Sequence, residues 1–101
     1  MLNSLDSSGC SDIVRVHIFV SGRVQRVGYR FSTCDQAAVL NVNGWVRNLH
    51  DGRVEAVFEG SKVQIQEMLR WCRKGPPSAI VQDVRVEYEP PAGLDGFQII
   101  R

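Results

Sequence analysis

The feature that most constrains this chain is the order in which its apolar residues change period. Val14, Val16, Ile18 and Val20 recur at every second position, with Arg15, His17, Phe19 and Ser21 between them. That alternation belongs to a strand with one buried face. From Tyr29 the spacing becomes helical: Tyr29, Thr33, Ala37 and Leu40 share a stripe, with Phe31 and Cys34 at its edges. Asn41 and Asn43 end that helix, and Asn43 has no other role in this reading. Two β-rich runs then flank His50-Asp51-Gly52, and Asp-Gly between such runs signals a hairpin. In the second run Val54, Ala56 and Phe58 face one way; Arg53, Glu55, Val57 and Glu59 face the other. A second helix opens at Ser61, which forms a capping box with Gln64. Its apolar side is Val63, Ile65, Met68, Leu69 and Cys72, and the Lys74 to Pro77 stretch stops it. Alternation returns from Ile80 to Glu89, and Phe97 to Arg101 makes a short last strand.

This order, βαββαβ plus a short C-terminal strand, is the split βαβ pattern. It predicts an α+β, ferredoxin-like α/β sandwich: a mainly antiparallel sheet with both helices on one face. The other face is expected to be partly wet. A length of 101 residues suits one domain. Residues 1–12 are polar and Ser-rich and read as a flexible tail, which leaves 13–101 as the domain.

Net charge is +1, so no global basic field draws nucleic acid or an anionic membrane. No apolar run approaches the ~20 residues of a membrane span, and the first residues do not form a secretory signal. Cys10, Cys34 and Cys72 are odd in number and lack metal or redox spacing. The last two are expected to be buried free thiols, which points to a reducing, cytoplasmic setting.

The stretch SGRVQRVGYRFS, Ser21 to Ser32, lies between the first strand and the first helix. It holds three arginines and two glycines, but no lysine, histidine or carboxylate. A loop entering a helix N-terminus presents unpaired N–H groups and a favourable dipole to an anion. Gly22 and Gly28 permit close approach, and Arg30 can turn its fork over the same concavity. The residues alone leave two readings open, a phosphate cradle and a loop of solvated charges. Asn48, at the end of a strand, is either a turn former or an amide that holds a water. His17 reads as a surface or edge histidine, Trp45 and Trp71 as packing residues, and Glu87 and Glu89 as solvated acids. Phe19 is an aromatic that could serve an RNA-binding sheet, but the aromatic-rich strand motif of such sheets is missing.

The segment GRVQRVGYR, Gly22 to Arg30, resembles the first signature of the acylphosphatase family. The segment GWVRNLHDGRVEAVFEG, Gly44 to Gly60, resembles its second. The later KGPPSAIVQDV and the ending GFQIIR also fit, so the resemblance covers about residues 13–101. It implies a ferredoxin-like fold and hydrolysis of acyl phosphates to carboxylate and inorganic phosphate, with no metal and no cofactor. It assigns the phosphate-binding arginine to Arg30 and the water-orienting asparagine to Asn48. The backbone amides of Gln25, Arg26, Val27, Gly28 and Tyr29 would hold the phosphoryl oxygens. The implied partner is a small-molecule acyl phosphate, met by a monomer, with no nucleic acid and no membrane. One position departs from the pattern: Arg26 stands where the family usually has glycine. The alternative function is therefore a non-catalytic ferredoxin-like binding or regulatory module, its cradle impaired by Arg26.

Overall fold

The computed structural model describes residues 13–101; the expected tail and Cys10 lie outside the described residues. The elements are β1 (Ile13–Arg23), α1 (Tyr29–Leu40), β2 (Asn43–Asn48), β3 (Val54–Ser61), α2 (Lys62–Lys74), β4 (Ile80–Glu89) and β5 (Phe97–Ile99). They form one five-stranded sheet in the order β4-β1-β3-β2-β5. β1 pairs antiparallel with β3 and β4, β2 pairs antiparallel with β3, and only β5 runs parallel to its neighbour β2. This is the ferredoxin-like arrangement with one added edge strand.

Strand parity decides which side chains meet the helices. Val16, Ile18 and Val20 lie opposite Phe58, Ala56 and Val54, and all six are buried. Helix α1 adds Tyr29, Thr33 and Ala37 to this core, and α2 adds Ile65, Met68, Leu69 and Cys72. Burial of the larger of these side chains contributes roughly 1.5–3 kcal/mol each. The Tyr29 hydroxyl donates to the Cys72 carbonyl at 2.8 Å, which ties α1 to α2. Burial pushes the Cys72 thiol up to about 12, so it stays protonated and inert. Cys34 is only half-buried, unlike its expected placement. Val63 is 68% exposed because its position in the first turn of α2 turns away from the sheet.

The helix ends follow their local chemistry. Ser61 and Gln64 form the expected capping box, with bonds of 3.2 and 2.7 Å. Asn41 ends α1 in the left-handed conformation at φ 60°. Asn43 is more than a helix stop. It begins β2, and its side-chain oxygen accepts the Gly96 N–H at 3.0 Å, fastening the approach to β5.

The sheet face away from the helices is drier than expected at its centre. Glu55, Val57 and Glu59 of β3 are buried there, as is the other face of that strand. Arg15 donates to Glu59 and Glu89, both at 2.9 Å, and Arg47 donates to Glu55 at 2.6 Å. Glu59 also accepts the N–H groups of Ala92, Gly93 and Leu94. Glu89 is therefore part of a network rather than a solvated acid, and Glu87 pairs with Arg85 at 2.9 Å. His17 is neither at an edge nor free: β1 lies between β3 and β4, and both ring nitrogens meet carboxylates. Phe19 stacks on His17 and sits beneath the Arg53 guanidinium, while Trp45 meets His17 edge-on and lies under Arg47.

Candidate active site

The loop between β1 and α1 folds over the end of β2. Gln25 is the fastener. Its side-chain amide donates to the carbonyls of Leu49 and Arg53, at 2.7 and 2.9 Å, on both sides of the β2–β3 turn. Val27 packs on the core, and Val24 is buried in it. These anchors hold the loop close to Asn48, although the two segments are remote in sequence.

Asn48 shares its strand face with Val46 and pairs with Val54, so it points to the helix side of the sheet. At that place the β-sheet ends and the loop begins. The result is a cavity of about 130 Å³ lined by Val24, Arg26, Gly28, Tyr29, Arg30, Phe31 and Asn48. The Asn48 Oδ1 atom is buried and has no hydrogen-bond partner among the described residues. A buried polar atom without a partner is rare in folded proteins and marks a place where a ligand or water is bound.

Gly28 stands at the N-cap of α1 with φ 80°, and no side chain caps the helix. The first N–H groups of the helix have no acceptor within it. Arg30 follows one position into the helix. The ion pairs of the described residues use Arg15, Arg47, Arg53, Arg70 and Arg85; none uses Arg23, Arg26 or Arg30. The cavity thus has a guanidinium, open helix N–H groups and an amide, with no carboxylate in its wall. Such a set attracts an oxyanion and leaves space for a water beside it.

Arg26 occupies the left-handed region at φ 63°. That conformation costs an L-residue roughly 1–2 kcal/mol. The arginine accommodates the turn that a glycine would take freely, and its exposed side chain lines the cavity mouth.

Of the residues expected at the site, Arg26, Gly28, Tyr29, Arg30 and Asn48 line the cavity. Tyr29 commits its hydroxyl to the core. The side chains of Gln25 and Val27 point to the hairpin and the core. The fastening role of Gln25 has no local sequence signal, because its acceptors belong to a distant turn. Phe31 is the other addition: it is 64% exposed and stands at the cavity rim, where helical spacing had placed it beside the core stripe. A larger open groove of about 630 Å³, lined by Ser32, Asp35, Gln36, Trp71, Lys74 and neighbours, contains none of the expected site residues. On the outer sheet face, His17, Glu87 and Glu89 bring ligand atoms within 4.8 Å of one another. Arg15 and Arg85 already neutralise those carboxylates, so the cluster offers a cation no excess negative charge.

The sequence of residues 16–99 matches the acylphosphatase family. The chain belongs to the acylphosphatase family. An acylphosphatase of Trichormus variabilis is 60% identical over 96 residues, covering 95% of each chain. The acylphosphatase-family fold is equally clear in solved structures. An acylphosphatase from Coxiella burnetii superposes with a TM-score of 0.87 at 33% identity, covering 94% of this chain and all of that one. The Bacillus subtilis acylphosphatase gives 0.84 at 34% identity, covering 87% and 99%.

Proposed function

We propose that the chain hydrolyses the carboxyl–phosphate bond of acyl phosphates, and that residues 13–101 form the catalytic domain. The phosphoryl group enters the cavity at the N-terminus of α1. Arg30 and the amides of Gln25 to Tyr29 bind its oxygens. Asn48 holds a water through its side-chain oxygen, on the far side from the acyl group. The water oxygen attacks phosphorus, and the bond from phosphorus to the acyl oxygen breaks in line. The electron pair leaves with the carboxylate, inorganic phosphate forms, and the water's proton passes to phosphate or solvent.

A carboxylate is a good leaving group, so the reaction needs positioning and charge stabilisation more than a strong base. The cavity wall fits that need, since it carries cationic and N–H donors and no titratable base. The observation that carries the reading is the buried, unpartnered Asn48 Oδ1 beside Arg30 in one small cavity. Membership of the acylphosphatase family supports a small-molecule acyl phosphate as the substrate. We place the protein in the cytoplasm as a monomer. Cys34 and Cys72 are free thiols, and no described helix is long and apolar enough to cross a membrane.

The test is release of phosphate from benzoyl phosphate by the purified protein in the presence of a chelator. Rapid turnover is expected. A folded protein with no rate above background would instead support a non-catalytic binding module.

A further inference from the structure

We propose that Arg26 is a specificity-determining residue: its guanidinium selects acyl phosphates whose acyl part carries a second anionic group. The inference rests on the hydrolytic reading above. The cavity is small enough that the acyl part of a bound substrate must lie outside it. The exposed lining residues at that mouth are Arg26, Gly28 and Phe31. Gly28 has no side chain, and Phe31 offers an apolar ring. Arg26 is the only cation of the three, and no carboxylate of the described residues pairs with it.

Its backbone sharpens the point. Arg26 keeps a positive φ of 63°, which glycine would hold without strain. Among the described residues the side chain makes no ion pair and packs into no core. A charged fork kept at a strained position beside the site has its use in the ligand. Arg30 already faces the phosphoryl group, so the second guanidinium is available to a second anion. A carboxylate or phosphate on the acyl part suits its geometry.

The experiment compares benzoyl phosphate with 4-carboxybenzoyl phosphate, which differ by one exposed charge. The readout is the ratio of their kcat/KM values, so any change common to both substrates cancels. The native protein should favour the carboxy compound. R26G and R26Q should lower that ratio about fivefold at low salt, whereas R26K should retain most of it. Raising ionic strength should compress the native ratio towards that of R26Q. A ratio unchanged in R26G and R26Q, with both substrates turned over, overturns the role of Arg26 and leaves the hydrolytic reading intact. Failure of the native protein to hydrolyse either compound overturns both.

Discussion

Asn48 carries an oxygen into a buried position without a protein partner, and such a group costs the folded state about 1–3 kcal/mol. Replacing it with alanine removes no hydrogen bond formed by that atom. Asn48→Ala should therefore unfold in urea at a midpoint equal to or above that of the native chain, while kcat drops about 10²–10³-fold. Inhibition by inorganic phosphate should persist in this variant, because the phosphoryl donors are intact. Arg30→Ala should lose at least as much in kcat/KM and should also lose phosphate inhibition. Equal loss of phosphate affinity in both variants would contradict the division of labour between a phosphoryl clamp and a water holder. The two residues differed in how far sequence could carry them. Arg30 opens α1 at the end of a stretch whose cationic character is local and legible. Asn48, on its residues alone, read first as a turn former, because its burial depends on a loop that arrives from elsewhere in the chain.

The β1–α1 loop is a site only because it is fixed to the β2–β3 hairpin. Gln25 makes that connection with two N–H donors to two carbonyls. Gln25→Leu keeps the side chain's bulk and removes both bonds. It should destabilise the domain by about 1–3 kcal/mol in urea denaturation and lower kcat/KM roughly tenfold, by misplacing the donors relative to Asn48. A full loss of stability with unchanged activity would show that the loop holds its position without Gln25. The element boundaries themselves were legible: the capping box at Ser61, the Asp51-Gly52 turn and the alternation in β1 all depend on near neighbours. The second covered face of β3 was not. Glu55 and Glu59 have the polar identity of a wet face, and only their strand neighbours supply the Arg15 and Arg47 side chains that bury them.

Across the whole molecule, charge is divided between two ends of the fold's logic. The outer sheet face is internally paired: Glu55, Glu59, Glu87 and Glu89 meet Arg15, His17, Arg47 and Arg85. Arg23, Arg26 and Arg30, in and flanking the β1–α1 loop, have no such partners among the described residues, so the site keeps a local positive potential in a chain of net charge +1. His17 lies between Glu55 at 2.6 Å and Glu89 at 2.9 Å. Both contacts are satisfied together only by the doubly protonated ring. Burial lowers the proton affinity of His17, but the hydrogen bonds to Glu89 and Glu55 outweigh it and raise its pKa above 6.5. Its contribution to stability is thus complete below pH 6.5 and is lost as pH rises through the folded-state value. Burial raises the pKa of Glu55 and Glu59, but the bonds they accept from Arg47 and His17, and from Ala92 and Arg15, reverse the sign. Both carboxyls are thereby held below 4.5, so their contribution is present above that pH and is lost as pH falls through the folded values. The urea midpoint should be highest between pH 4.5 and 6.5 and fall on either side. His17→Gln should flatten the alkaline limb without altering the pH profile of kcat, since His17 is remote from the cavity. A native midpoint that stays level as pH rises from 6.5 to about 8.5 would refute this account of His17. The sequence by itself determined the order of strands and helices, the helix-side core and the cationic loop, because period, caps and turns act between residues close in the chain. Tertiary structure alone decided that Asn48 is buried beside Arg30, that Arg26 takes a left-handed turn at the cavity mouth, and that His17 is held by two carboxylates. Each of these depends on segments distant in sequence whose meeting is set by strand pairing.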